Sequence, residues 1–174
     1  MVYDVLYFMN MQLTKKQVVE LYQALLSVGD LKGARFSYVI AKNTLTIEPE
    51  IKAIQKAYAS SKEFTEYDNK RMKLAESHAI KINGQAQKEI KNGVEVYKMI
   101  DEPAFLKELK ILQAEYELII KKREEELKQA DLILEEKIEV NLVKLKANEI
   151  PEDIQAKQMT NLFVIIEDEK KISN

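Results

Sequence analysis

DEPAFLKELKILQAEYELIIKKREEELKQADLILEEK, residues 101–137, reads as one long charged helix. Asp101 is a good N-cap, and Pro103 fits the first turn, where its missing amide donor has no partner to lose. Phe105, Leu109, Leu112 and Tyr116 then alternate by four and three, the spacing of a coiled-coil seam. The seam shifts through Ile120 to Arg123, Leu127, Ala130 and Leu134, a four-residue stutter that relaxes supercoiling locally. Lys121-Lys122-Arg123-Glu124-Glu125-Glu126 is all charge, so the middle of this helix is expected to face water.

Upstream, Asn83-Gly84 and Asn92-Gly93 are both turn dipeptides. Asn-Gly suits a two-residue hairpin loop because both central positions take positive φ. Lys91-Asn92-Gly93-Val94 is therefore read as the turn of a β-hairpin between Gln85–Ile90 and Val94–Met99. A lone hairpin is marginal in water, so this one must rest on helix ends or on another subunit.

Before it lies a second helical stretch. Thr14-Lys15-Lys16-Gln17 matches a capping box, and Val18, Leu21, Tyr22, Leu25 and Leu26 follow at helical spacing until Gly29-Asp30. A further helix starts near Leu31 to Gly33, with Phe36, Val39, Ile40 and Asn43 on one face. Thr44, Thr46 and Ile47 are poor helix formers and Pro49 removes an amide donor, so a kink or a break of one or two residues is expected there. The pattern Ile51, Ile54, Tyr58, Phe64, Met72 and Ala75 then carries on to about His78.

Downstream, Ile138 to about Leu145 is expected to be a strand that pairs with a short strand at Met11–Thr14. Pro151-Glu152-Asp153 opens an expected final helix through Met159 and Leu162. Residues 1–10 read as an N-terminal extension with no role in the fold, and residues 167–174 as a polar tail. Residues 11–166 then form a single α-rich domain with a projecting helical arm at about 49–136. The expected fold class is mainly α with a small β element: an antiparallel, coiled-coil-like hairpin of long helices with a β-hairpin between them.

Composition narrows the function classes. Charged residues make up 32% of the chain, yet the net charge is only −2. With acids and bases interleaved, no broad pull toward nucleic acid or anionic lipid is expected. Four glycines and three prolines imply long elements with few turns. The chain has no cysteine, which removes disulfides, thiol catalysis and cysteine zinc sites. The apolar start lacks a basic segment and is interrupted by Asp4, so no signal peptide is expected. No run reaches the roughly 18–20 apolar residues of a membrane span.

Chemistry-bearing patterns are few. His78 is the sole histidine, with no carboxylate or serine at a recognisable spacing, and reads as a surface or helix-end residue. Carboxylates at Glu63, Glu66, Asp68, Glu124–Glu126 and Glu135–Glu136 include no Glu-x-x-His, the motif of dimetal bundles. They read as solvated faces with pairs such as Glu117–Lys121 and Glu124–Lys128. No glycine-rich phosphate loop occurs. No enzyme activity, metal or cofactor is expected. The aromatic and aliphatic residues Tyr58, Phe64, Tyr67, Tyr97, Tyr116 and Ile120 are the candidate interface, since tyrosine combines apolar area with a hydroxyl. Packing within the arm itself is the competing reading of the same tyrosines.

Three stretches carry a resemblance. They are Gln12-Leu13-Thr14 leading into Glu20-Leu21-Tyr22-Gln23-Ala24-Leu25, then Phe36-Ser37-Tyr38-Val39-Ile40-Ala41-Lys42-Asn43, and Ile47-Glu48-Pro49-Glu50. Together they resemble the opening of a family of small tailed-bacteriophage proteins of unknown function. Asp101-Glu102-Pro103-Ala104-Phe105, Glu139-Val140 and Ile150-Pro151-Glu152-Asp153 extend the likeness over about Met9 to Ile166. The resemblance implies a phage or prophage origin and a bacterial cytoplasm, and supplies no catalytic residues. By architecture alone, a β-hairpin between two antiparallel helices is similar to prefoldin-type chaperones. The narrow, interrupted seam leads us to expect a homo-oligomer, with a phage or host protein as further partner.

Overall fold

The computed structural model describes residues 7–167; residues 1–6 of the expected extension and 168–174 of the expected tail lie outside them. The described residues are 59% helical, with small antiparallel strand pairs. It divides into two compact units. One contains the chain up to Tyr58 and again from Gln129 on; the other is Ala59–Lys128.

The first unit is built on β1 (Phe8–Thr14), α1 (Lys15–Ser27), α2 (Ala34–Ala57) and β6 (Lys137–Val143). β1 and β6 pair antiparallel, with Met9 opposite Leu142, Met11 opposite Val140 and Leu13 opposite Ile138. Period-two alternation puts these three apolar pairs on one face. The pairing of the two strands is as expected, but β1 begins at Phe8. Phe8, Met9 and Asn10 thus belong to the sheet and not to an extension outside the fold.

Thr14 ends the strand and caps the helix that follows. Its hydroxyl accepts from the Gln17 amide at 3.1 Å, while the Gln17 side chain accepts from the Thr14 amide at 2.8 Å. Val18, Leu21, Ala24 and Leu25 of α1 and Phe36, Val39, Ile40, Ile47 and Ile51 of α2 bury one face each. They meet Val140, Leu142, Val143, Leu145, Leu162 and Ile165 in one continuous core.

α2 is continuous from Ala34 to Ala57, so of the expected kink or break the break does not form. Ile47 and Ile51 are buried on either side of Pro49, and this tertiary anchoring outweighs the local penalty. Asn43 supplies a second anchor. It is fully buried, donates to the Val143 carbonyl at 2.9 Å and accepts from the Val143 amide at 2.8 Å. One side chain thereby satisfies both backbone groups of a buried strand residue.

After β6 the expected final helix does not form as one piece. Only Ala156–Met159 is α-helical (α6), between single 3-10 turns at Ala147–Glu149 and Phe163–Ile165. The start moves to Gln155, whose backbone amide donates to the Gln158 side chain at 2.9 Å. Beyond it, Leu162 and Ile165 turn into the core three residues apart. The segment is tied down by backbone bonds from the Leu145 amide to Ile165 and from the Glu167 amide to Leu145, both 2.8 Å.

The second unit contains α3 (Lys62–Ser77), β2 (Lys81–Ile82), β3 (Gln85–Ala86), β4 (Lys88–Lys91), β5 (Val94–Tyr97), α4 (Glu102–Glu115) and the larger part of α5 (Glu117–Leu134). Two expected continuities are broken here. The helix leading to His78 stops at Ala57 and restarts at Lys62, because the Ser61 hydroxyl accepts from the Phe64 amide at 3.1 Å and so caps a new helix. The helix of residues 101–137 is interrupted at Tyr116, although the bonds from Tyr116 to Leu112 and from Ile120 to Tyr116 continue across the gap.

Both Asn-Gly pairs form hairpins, so there are two where one was expected. Asn83 (φ 50°) and Gly84 (φ 78°) join β2 to β3; Asn92 (φ 52°) and Gly93 (φ 78°) join β4 to β5. Two successive positive φ values are what the two-residue turn requires. Ile80, Gln87 and Lys98 exchange backbone bonds in a closed ring of 2.8–2.9 Å, which ties the two short hairpins together.

Candidate interaction surface

The second unit has a thin interior made chiefly of aromatic rings. Tyr67 lies between Phe64, 5.6 Å away by ring centroids, and Tyr116, 5.5 Å away. Further along, His78 meets Phe105 edge-on at 5.9 Å. In the other direction, the Arg123 guanidinium sits 5.7 Å over the Phe64 ring, and its Nη1 donates to the Ala59 carbonyl at 3.0 Å. Contacts that ascend along α3 descend along α4 and α5.

Polar groups close around the rings. Lys70 Nζ donates to the Tyr116 hydroxyl at 2.5 Å, and that hydroxyl donates to Glu66 at 3.1 Å. Lys70 also pairs with Glu66 at 3.2 Å. The bond from Lys70, then that from Tyr116, holds the Glu66 carboxyl below the usual carboxylate range. Lys70 is raised, first by Tyr116 and then by Glu66. The Glu117–Lys121 pair forms at 2.6 Å. Glu124 and Lys128 do not pair; Lys122 and Glu126 come within 3.9 Å instead.

The six residues read from the sequence as an interface therefore sort differently. Tyr67 and Tyr116 are buried inside the unit, so for them the internal reading holds. Phe64 and Ile120 are half-buried beside them. Tyr97 is half-buried on β5, across from Lys88, whose Nζ lies 5.6 Å over its ring. Tyr58 belongs to the first unit, where its hydroxyl donates to Asp131 at 2.6 Å. That bond, with some desolvation, pushes the phenol up to about 12.

What faces solvent is aliphatic. Ile90 is 77% exposed, Ile100 71%, Leu118 82%, Ile111 64% and Val94 62%, with Ile82, Leu106 and Met72 also exposed. Sequence reasoning passed over these because each has a charged residue on at least one side. The signal was the shape of the seam: a helix can turn only one face inward, and Ile111 and Leu118 lie off the face of Phe105, Leu109, Leu112 and Tyr116.

Among the described residues no group of three His, Asp or Glu side chains is placed to hold a metal ion. His78 Nε2 lies 3.3 Å from Glu108, on the edge of Phe105, with no hydroxyl nucleophile among its hydrogen-bond partners. No helix among the described residues is long and apolar enough to cross a membrane. No protein-family model matches the chain, and neither a curated protein nor a solved structure matches it.

Proposed function

We propose that this chain is a non-enzymatic accessory protein of a tailed phage or prophage, acting in the bacterial cytoplasm by contact with a phage or host protein. The reading carries no nucleic-acid, membrane or cofactor role. In it, the second unit works as an antiparallel, coiled-coil-like helical hairpin whose outer surface meets the partner. One observation carries the reading: eight large apolar side chains of this unit stand exposed, while its buried apolar residues are Tyr67, Ala75, Ala79 and Tyr116. Isolated exposed aliphatics are common on any protein. Here they outnumber the core they surround, and burying them against a partner contributes about 25 cal/mol per Å².

The test is co-purification from phage-infected cells of tagged wild type beside an Ile90→Lys/Ile100→Lys variant. A stoichiometric partner retained by the wild type and lost by the variant supports the reading. No partner, or one held equally by both, overturns it.

A second reading has its own support. Ile82, Ile90 and Val94 expose aliphatic side chains on the paired hairpins between α3 and α4, the place where a prefoldin-like holdase would grip unfolded chains. Suppression of aggregation of a denatured model protein at stoichiometric ratio, lost in Ile90→Lys, would favour this over a dedicated partner.

A further inference from the structure

We infer that α4 pairs with α4 of a second copy of this chain, antiparallel, about a two-fold axis at Ile111. The inference rests on the contact reading above and names one partner for that surface.

The inner face of α4 is occupied. Phe105 meets His78 and Tyr116 meets Tyr67. The opposite face carries Ala104, Lys107, Ile111, Ala114 and Glu115 at spacings of three and four, and Leu118 at the start of α5 extends the same stripe across Tyr116. Ile111 at its centre is 64% exposed and Leu118 at its end is 82% exposed.

Charge picks the partner. Lys107 and Glu115 lie four residues before and four after Ile111. Nearby, Glu108 pairs with His78, Lys70 with Glu66 and Lys121 with Glu117, while Lys110 beside Ile111 has no ion pair among the described residues. Lys107 and Glu115 have no ion-pair or hydrogen-bond partner among the described residues. A two-fold axis through Ile111 of antiparallel helices maps each residue onto its mirror position in the sequence. Lys107 of one copy then meets Glu115 of the other, and the pair occurs twice. Ile111 meets its own copy, and the small Ala104 faces the long Leu118. Parallel pairing would instead set Lys107 against Lys107 and Glu115 against Glu115, a like-charge arrangement that costs stability. A self-complementary patch of this kind is what an isologous dimer needs.

There is also room at the axis. On the flank of Ile111 toward α3, a shallow groove of about 310 Å³ is lined by Lys70, Leu74, Glu108, Ile111, Leu112 and Glu115.

The test uses the purified full chain alone. Because the chain has no cysteine, Ile111→Cys places a single thiol on the proposed axis. Sedimentation velocity should show a dimer for the wild type, and Ile111→Cys should oxidise to a covalent dimer. Ile111→Lys should raise the dimer dissociation constant about 100-fold or more, since two isoleucines lose their burial. Its helical circular dichroism should be unchanged, because the residue is exposed in the monomer. Lys107→Glu and Glu115→Lys should each weaken the dimer roughly tenfold, and the double reversal should restore it.

A monomer at every concentration overturns the pairing. So does a dimer in which Ile111→Cys fails to cross-link, or in which the two reversals simply add. A monomer that still retains the phage or host partner overturns the pairing and leaves the proposed function standing. A cross-linked dimer that retains no other protein supports the pairing and removes the proposed function.

Discussion

The two units of this chain spend their apolar residues in opposite ways. In the first, seventeen residues from β1, α1, α2, β6 and the C-terminal turns share one buried cluster, and Phe36, Leu21, Leu25, Ile47 and Leu142 are almost wholly shielded. In the second, the Phe64, Tyr67 and Tyr116 rings and the separate His78–Phe105 pair hold the helices, and eight large apolar side chains face water. The first unit is closed by long-range packing. The second is held by local helix, local turns and a few rings, with its remaining apolar surface open to another molecule.

That contrast is broken most directly by cutting into the first core. Phe36→Ala should cost about 3–5 kcal/mol, because a fully buried ring leaves a cavity the close-packed neighbours cannot fill. Leu142→Ala should cost about 2–5 kcal/mol for the same reason. Ile90→Ala in the second unit, at 77% exposure, should shift stability by no more than about 0.5 kcal/mol. Urea denaturation of the three variants checks this, and similar midpoints for all three would dissolve the distinction.

Asn43→Ala comes next. It leaves the amide and the carbonyl of Val143 buried without partners, at about 1–3 kcal/mol for each unsatisfied group. Hydrogen exchange at β6 should rise along with the drop in thermal midpoint. Unchanged exchange there would mean that the Asn43 bonds only decorate a helix–strand contact that packing secures alone.

What could be read from the sequence follows the same division. The capping box at Thr14, the pairing of the two terminal strands and the turns at Asn83 and Asn92 were legible because each depends on neighbours within a few residues, or on period-two alternation. A break at Pro49 was one expected outcome because its local penalty is visible in sequence, whereas the burial of Ile47 and Ile51 and the reach of Asn43 to Val143, which keep the helix continuous, are not. The new start at Ser61 was available as an N-cap, but the apolar spacing of Tyr58 and Phe64 carried the reading across it. The tyrosines stayed open between two readings for a different cause. A tyrosine at helical spacing reads alike whether its ring faces a partner or a neighbouring helix. Only the placement of Phe64 and Lys70 around Tyr67 and Tyr116 decided the matter.

The comparison can be sharpened inside the second unit. Tyr116→Phe keeps the ring against Tyr67 and removes the bonds to Lys70 and Glu66. It should cost about 1 kcal/mol. Tyr116→Ala also removes the ring and should cost several times more. Amide exchange should quicken through α3 and α4 in both variants and stay unchanged at β1 and β6. Exchange that rises equally everywhere would show that the two units open as one.

The smallest effects are those of pH. The Tyr58 phenol is raised from 10.0 to about 12 by its bond to Asp131. A group whose folded value lies above its unfolded one contributes stability that is complete below the unfolded value. That contribution is lost as pH rises through the folded value, so the window for Tyr58 runs from 10 to about 12. Glu66 acts at the other end and with the opposite sign. Its folded value lies below the ordinary carboxylate value of 4.5, so its share is present above 4.5 and disappears as pH falls through the lowered value. Ultraviolet titration of tyrosinate should show one late-ionising phenol, absent in Tyr58→Phe. Acid unfolding should begin in the second unit, and Glu66→Gln should flatten its early phase. If Tyr58→Phe leaves the late phenol in place, that proton sits on another tyrosine, and the Tyr58–Asp131 bond does not persist in solution.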